Sequence, residues 1–256
     1  MKNFTKHASH TGSLWVMLLF AVTMLGCQPK VLVKSSVQGV DQPVKAVEGT
    51  DAEITQMIAP FKEKLDKGMS DVVAVSAQRM FSQPVECNLG NFMADLMQVQ
   101  GTKEFGKPVD MGVMTNGGLR KPIAKGPITT RDVYELMPFD NRVYILELNG
   151  EQVMQLMQYL VDTRLASVSN TYVHAINGKI DDLEIGGKPF DPSRTYTVSV
   201  SNYLAGGGDK MFFFRDCKVL KASSYNVRDA IFDYLKSFQS QGKPVEAKVE
   251  GRVKID

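Results

Sequence analysis

Apolar side chains recur every three or four positions in several parts of the chain, the spacing of one face of an α-helix. The clearest set is Ile54, Met57, Ile58, Phe61 and Leu65. It follows two acidic residues, Asp51 and Glu53, which suit the first turn of a helix. Similar spacing predicts further helices over residues 88–97, from Thr129 or Thr130 to Leu136, and over residues 151–163 and 227–238.

Shorter apolar or alternating runs between these segments predict strands. They cover residues 72–75, 111–114, 143–148, 170–174, 183–185 and 196–200, with a last strand near Val253. Asn149 and Gly150 are a turn signal between a strand and a helix. Because helices and strands are interleaved without a repeated βα period, the pattern favours an α+β fold with mixed β-sheets and packed helices over a doubly wound fold.

A strand that ends near Ser201 leads into the sequence SNYLAGGGDKMFFF at 201–214. Consecutive glycines allow positive φ angles and close approach of the backbone to another group. An aromatic ring at Tyr203 and a carboxylate at Asp209 could therefore clamp a flat polar ligand. The alternative is a sharp turn whose aromatic side chains belong to the core, and this stretch alone favours that alternative.

The N-terminus has the features of a secretory signal. Lys2 and Lys6 precede an apolar run at 14–25, which is short for a membrane span. The run ends in MLGC at 24–27, which resembles a bacterial lipobox, although Leu25 stands where a small residue is usual. We expect a signal peptide at 1–26, a lipid-anchored tether at 27–50 that begins at Cys27, and a folded domain at 51–256. An Asp after the acylated cysteine commonly retains such lipoproteins at the inner membrane, and Gln28 is not that Asp. By analogy we expect the periplasmic side of the outer membrane, and simple secretion is the alternative.

Charge and side-chain supply exclude several classes of function. The formal net charge of +2 comes from Lys2 and Lys6, so the chain from Cys27 onwards is neutral, and nucleic-acid binding by charge is not supported. Beyond the leader, the histidines reduce to His174. A two-metal hydrolase site needs several imidazoles and carboxylates, and this chain cannot supply them. Cys87 and Cys217 could pair in an oxidising compartment or remain buried free thiols.

Four motifs occur in order along the chain. They are ECNLGN at 86–91 with Asp95, GGLR at 117–120, LMPF at 136–139 with Asn141, and NYLAGGGD at 202–209. Together they resemble the C-terminal, substrate-binding domain of the 5'-nucleotidase / UDP-sugar hydrolase family, over about residues 72–253. The resemblance implies an α+β domain that grips the nucleoside, while a separate metallophosphatase domain holds the metals and performs the hydrolysis.

The resemblance also implies roles for individual residues. Phe139 and Tyr203 match the two aromatics between which the base stacks, with Tyr203 in place of a usual Phe. Asn141 matches a residue that hydrogen-bonds the base in some members, and Asp209 one that accepts the ribose hydroxyl groups. Arg120 matches an arginine on the sugar or phosphate side of the ligand, and a guanidinium suits such oxygens.

Other positions carry the family pattern only in part. Arg79 matches the first of two arginines common in bacterial members, whereas Gln83 replaces the second. Gly207 and Gly208 belong to the glycine run that brings Asp209 close. We therefore expect base stacking to be intact and the grip on phosphate to be weaker.

The metallophosphatase half has no counterpart in the motifs of this sequence. We expect the nucleoside- or nucleotide-binding half of a split periplasmic 5'-nucleotidase, without a metal or cofactor of its own, whose divalent metals reside on a separate metallophosphatase. The alternatives are a stand-alone, non-catalytic nucleoside-binding lipoprotein and a scaffold that kept the fold but lost the ligand. Retention of Phe139, Tyr203 and Asp209 argues against the scaffold.

The lipobox generates the first testable prediction. Cys27→Ser removes the thiol that would be acylated, so the variant should be released as a soluble protein or remain unprocessed. Membrane fractionation of cells that express the wild-type chain and the variant measures this. An unchanged membrane fraction for Cys27→Ser would contradict the lipid anchor.

Overall fold

The computed structural model describes residues 51–256, so the predicted leader, the cysteine at position 27 and the whole predicted tether lie outside the described residues. Residues Ala52–Asp256 form one folded unit. None of its helices has both the length and the apolar character needed to cross a bilayer.

Six α-helices occur in this unit, and five of them lie where the helical spacing predicts a helix. They are α1 (Ala52–Met69), α2 (Asn88–Phe105), α3 (Thr130–Leu136), α4 (Gly150–Thr163), α5 (Asn202–Ala205) and α6 (Val227–Ser240). Three short 3₁₀ turns cover Asn116–Gly118, Gly208–Lys210 and Phe212–Asp216.

The strands number eleven in the same unit. They are β1 (Val72–Ser76), β2 (Met111–Thr115), β3 (Gly126–Thr129), β4 (Arg142–Leu148), β5 (Ala166–Val168), β6 (Thr171–Ile176), β7 (Lys179–Ile185), β8 (Lys188–Pro189), β9 (Tyr196–Ser201), β10 (Lys218–Asn226) and β11 (Val253–Ile255).

A five-stranded sheet of order β10-β4-β9-β2-β5 forms the centre of the fold. Strands β2 and β9 are parallel, whereas the other neighbouring pairs are antiparallel. A second sheet, of order β11-β6-β7-β8, and the β1–β3 pair complete the arrangement. The predicted α+β fold with mixed sheets and packed helices is therefore confirmed.

Strand β4 shows how the central sheet separates two hydrophobic cores. Val143 and Ile145 point into a core with α2, α3 and α6, whereas Leu146 and Leu148 point into a core with α4, β6 and β7. Successive side chains of a strand face opposite sides of its sheet. Residues at both phases of β4 are buried because both faces of the sheet are covered.

Capping side chains set where two of the predicted helices begin. Thr129 and Asp132 form a capping box at the start of α3, so Thr129, and not Thr130, is the cap. Asn149 and Gln152 form the corresponding box at α4. The pair Asn149 and Gly150 is therefore not a separate turn, because Asn149 is the N-cap and Gly150 the first helical residue.

The first family-like motif, at 86–95, fastens the C-terminal segment to the domain. The carboxylate of Glu86 accepts hydrogen bonds from the Asn91 side chain at 2.7 Å and from the Glu250 backbone N–H at 2.8 Å. Arg252 donates to both oxygens of Asp95, at 2.7 and 2.9 Å. Glu86 and Asp95 thus tie the C-terminal segment to the beginning of α2.

The two cysteines of the folded unit are both free and buried. The Cys87 sulfur accepts from the Gly90 N–H at the start of α2, 3.3 Å away. Burial raises the pKa of the Cys217 thiol to about 11. Of the two alternatives left open by the sequence, the structure has the free thiols.

Helix α1 differs from the other long helices because none of its residues is buried. Its apolar stripe is largely exposed, including Met57 at 65%, Phe61 at 74% and Leu65 at 56%. An ion pair of 2.7 Å between Asp66 and Arg131 joins the C-terminal end of α1 to α3. The helical spacing of this segment is confirmed, but the unit itself does not cover the apolar face.

Candidate functional site

A cavity of about 350 Å³ lies at one edge of the central sheet. Because β2 and β9 are parallel, they end at the same edge, at Thr115 and Ser201. Strand β4 is antiparallel to β9 and therefore begins there, at Arg142. The three segments that follow or precede these strand ends carry the last three motifs of the sequence, and the fold brings them together.

Five predicted site residues line this cavity, although they are widely separated in the sequence. They are Arg120, Phe139, Asn141, Tyr203 and Asp209. Apolar side chains, among them Met114, Met137 and Leu204, complete the lining. A volume of this size is within the range of small-molecule sites, about 300–1,000 Å³.

The two predicted stacking rings are not core residues. Phe139 is 39% exposed and Tyr203 is 49% exposed, whereas the core aromatic Tyr196 is 2% exposed. Phe139 follows the C-terminal end of α3, and Tyr203 lies within the short helix α5. The alternative interpretation of Tyr203 as a core ring is therefore excluded, and both rings present apolar surface to the cavity.

The Asp209 carboxylate is held by two hydroxyl groups from different segments. Thr115 donates to one oxygen at 2.5 Å, and Tyr203 donates to the other at 2.9 Å. Tyr159, on α4, donates to the Asp209 backbone carbonyl at 2.8 Å, and burial raises the pKa of the Tyr159 hydroxyl. Asp209 has a left-handed backbone conformation with φ of 51°, which these contacts stabilise.

Two glycines of the predicted run have distinct roles. A Cβ at Gly208 would lie 2.4 to 2.6 Å from three ring atoms of Tyr203, so the ring packs directly on this backbone. Gly207 has φ of 84°, and a Cβ there would lie 2.5 Å from Arg215 Nε. Neither glycine lines the cavity, but both determine how Tyr203 and Asp209 approach each other.

The predicted arginines lie side by side but not in one cavity. Arg120 lines the main cavity and also a shallower depression next to it, whereas Arg79 lines only the second. Phe81 lies beneath Arg79, with the guanidinium carbon 5.8 Å from the ring centroid. The two depressions therefore share one cation, Arg120.

Sequence reasoning missed Thr115 and Tyr159. Thr115 lies two positions before the GGLR segment. Nothing in the local sequence indicates that its hydroxyl group donates to Asp209. Tyr159 lies one position before Leu160 on the apolar face of α4, where its ring is indistinguishable from a packing residue. Both contacts join positions far apart in the chain, so only the folded structure identifies them.

A family model described as "5'-nucleotidase, C-terminal domain" matches residues 70–216. The chain is 27% identical over 224 residues to the trifunctional nucleotide phosphoesterase YfkN of Bacillus subtilis, an alignment that covers 79% of this chain and 15% of that protein. It is 29% identical over 206 residues to a 5'-nucleotidase of Vibrio cholerae, with coverage of 75% and 35%. The chain thus spans well under half the length of these relatives.

The fold is shared with solved structures. The 5'-nucleotidase precursor of Thermus thermophilus superposes with a TM-score of 0.68 at 25% identity, over 78% of this chain and 42% of that one. The NAD nucleotidase of Haemophilus influenzae superposes with a TM-score of 0.61 at 22% identity, over 80% and 41%.

The exposure of the two rings generates a stability prediction. Phe139→Ala should lower the free energy of unfolding by less than about 1 kcal/mol, because the ring is only partly covered. Tyr203→Ala should lower it by about 1–2 kcal/mol, because it also removes the hydroxyl bonded to Asp209. Tyr196→Ala, the core control, should lower it by about 3–5 kcal/mol. Urea unfolding curves measure all three, and a loss for Phe139→Ala as large as the control's would identify Phe139 as a core residue.

Proposed function

The chain belongs to the 5'-nucleotidase C-terminal domain family, and from this premise we propose that it is the nucleotide-binding half of a split 5'-nucleotidase that acts in nucleotide catabolism. The observation that carries the proposal is the meeting of two half-exposed rings, a fixed carboxylate and a cation in one cavity. Each of these groups suits a different part of a nucleotide.

The rings suit the base. A heterocycle between Phe139 and Tyr203 would cover their exposed faces, and base–aromatic stacking contributes about 1–3 kcal/mol per base with little dependence on the base. Asn141 lines the same cavity and offers both a donor and an acceptor to the edge of a base. This part of the site supports recognition of a nucleoside.

The carboxylate suits the ribose. Each Asp209 oxygen already accepts one hydroxyl, from Thr115 or Tyr203, and an ionised carboxylate has further lone pairs for a vicinal diol. Because these contacts fix the carboxylate before any ligand binds, little conformational entropy is lost on binding. Arg120 lines the cavity and Arg79 lines the depression next to it. Arg120, and less directly Arg79, could bind oxygens of a sugar or phosphate attached to the ribose.

A partner would supply the metals. Among the described residues, no group of three or more His, Cys, Asp or Glu side chains is arranged to hold a metal ion. His174, the single histidine among the described residues, belongs to β6 in the second sheet. Its Nε2 atom lies 2.8 Å from an Asp256 carboxylate oxygen, and its Nδ1 atom lies 3.6 Å from an Asp181 carboxylate oxygen. We assign no hydrolytic step to residues of this unit and place the metals on a separate metallophosphatase.

The exposed stripe of α1 is our candidate for contact with that metallophosphatase. Phe61 and its neighbours Met57 and Leu65 expose more than half of their surface each. Apolar surface of this kind, on an amphipathic helix, suits a hydrophobic groove or a second helix of a partner.

A stand-alone nucleoside-binding lipoprotein is the second candidate. The observation that favours it is the completeness of the cavity, whose rings, carboxylate and cation all come from this chain. Both candidates share the lipid anchor at Cys27 and the periplasmic side of the outer membrane as proposals. They differ in whether a catalytic partner joins the chain.

Calorimetric titration tests the binding proposal. Adenosine, AMP and UMP should all bind, and Phe139→Ala should weaken each by about 1–3 kcal/mol, the stacking contribution of one ring.

Wild-type protein should prefer adenosine to 2',3'-dideoxyadenosine by roughly tenfold or more, as expected for hydrogen bonds to a charged group. Asp209→Asn should lose this preference, whereas Asp216→Asn, an exposed aspartate nearby in sequence, should keep it. No binding of any of the three ligands at millimolar concentration would refute the nucleotide site.

Phosphate release tests the split arrangement. The purified chain should not hydrolyse 5'-AMP or UDP-glucose with Mn²⁺, Zn²⁺ or Co²⁺, because the one histidine beyond the predicted leader, His174, cannot build a two-metal site. Addition of a metallophosphatase from the same organism should produce hydrolysis. Phe61→Gln on α1 should reduce that hydrolysis at limiting protein concentration, and Lys62→Gln should not. Metal-dependent hydrolysis by the repurified chain alone would refute the division of labour.

A further inference from the structure

We propose that Arg228 is a positioning residue that sets the direction of the Phe139 ring and thereby one wall of the nucleotide cavity. Its effect on affinity rests on the function proposed above, whereas its effect on the conformation of the loop does not. Arg228 is the second residue of α6, outside the four family-like motifs of the sequence, and it does not line the cavity.

The guanidinium of Arg228 binds the loop that carries Phe139. Its Nε donates to the Met137 carbonyl and one of its terminal nitrogens donates to the Phe139 carbonyl, both at 3.0 Å. The same nitrogen lies 3.3 Å from a carboxylate oxygen of Asp140. One side chain thus fixes two backbone groups on either side of Pro138.

The first turn of α6 completes this attachment. The Val227 N–H donates to the Asn141 carbonyl at 2.8 Å, so carbonyls at 137, 139 and 141 all accept hydrogen bonds from two adjacent residues of one helix. Helix α3 ends at Leu136, and its hydrogen-bond ladder cannot hold the loop beyond Met137. The path of the loop therefore depends on α6.

The guanidinium itself is held in place from its other side. Its central carbon lies 4.5 Å from the ring centroid of Tyr134, and the Arg228 side chain is 13% exposed. Such a cation–π contact orients the plane of the guanidinium. The side chain is therefore fixed between an aromatic ring and the loop carbonyls, and it is not a mobile surface cation.

This attachment matters for Phe139 because packing covers the residue only in part. Phe139 is 39% exposed, so the direction of the ring also depends on the backbone on each side of it. Lysine at position 228 would keep the charge but would present one ammonium in place of a planar fork. We therefore expect the loop to loosen in Arg228→Lys while the core remains intact.

The first experiment measures the loop without any ligand. The natural tryptophan is Trp15, so the full chain with Trp15→Phe and Phe139→Trp carries a single indole on the loop. Adding Arg228→Lys should increase nanosecond anisotropy decay and acrylamide quenching of that indole. Arg194→Lys is the matched control, because Arg194 also stacks on a tyrosine, Tyr196, at 4.7 Å and pairs with an aspartate, but lies beyond the opposite end of β9.

The second experiment is a double-mutant cycle on AMP affinity. Arg228→Lys should weaken AMP binding about fivefold, a part of the roughly 5- to 150-fold expected from loss of a stacking ring. In the Phe139→Ala background the same change should have almost no further effect, because Arg228 would act through that ring. A merely structural arginine would give equal effects in both backgrounds.

The outcomes separate this inference from the proposed function. Unchanged mobility of the indole in Arg228→Lys, or additive effects in the cycle, would overturn the positioning role even if AMP binds well. Absence of AMP binding by the wild-type chain would refute the proposed function, and the indole measurements would still decide whether Arg228 positions the loop. If Arg228→Lys melts far below the control, a second variant replaces it. Tyr134→Leu removes the ring beneath the guanidinium but leaves Arg228 itself in place, and it should show the same increase in mobility.

Discussion

The carboxylate of Asp209 lies between the hydroxyl groups of Thr115 and Tyr203, which come from the end of β2 and from the helix after β9. The contact ties these two segments together beside the cavity. It also explains the local backbone. Three local features hold the Asp209 carboxylate between these hydroxyl groups. They are the left-handed conformation of Asp209, the glycine beneath the Tyr203 ring, and the hydrogen bond from the Tyr159 hydroxyl to the Asp209 backbone carbonyl.

The opposite wall of the cavity has a different origin. The loop with Phe139 takes its path from the first turn of α6, and α6 packs through Val227, Ala230 and Ile231 into the core beside α2. A change in the packing of that core would therefore be transmitted to Phe139. The same core contains Met114, next to the Thr115 that holds Asp209, so both walls of the cavity rest on it.

The family-like motifs divide between stability and ligand contact. The motif at 86–95 holds the C-terminal segment, through Glu86 and Asp95, and contributes nothing to the cavity lining. The other three motifs meet at the edge of the central sheet. A motif shared with a family of binding domains is thus not in itself evidence that its residues touch a ligand, and the polar partners of Glu86 and Asp95 show why they are required.

The sequence by itself determined five of the six helices of the described unit and most of its strands, because periodic apolar spacing reflects which face of each segment is buried. Through its resemblance to a family, it also indicated which residues meet in the cavity. Periodicity missed four strands, among them β10, whose mostly polar residues pair at a sheet edge. It also could not show that the described residues leave the regular stripe of α1 exposed. Only the tertiary structure decided the state of Cys87 and Cys217 and the partners of Asp209 and Arg228. Those contacts join residues distant in the chain, and their existence depends on how the strands align, which local spacing does not encode.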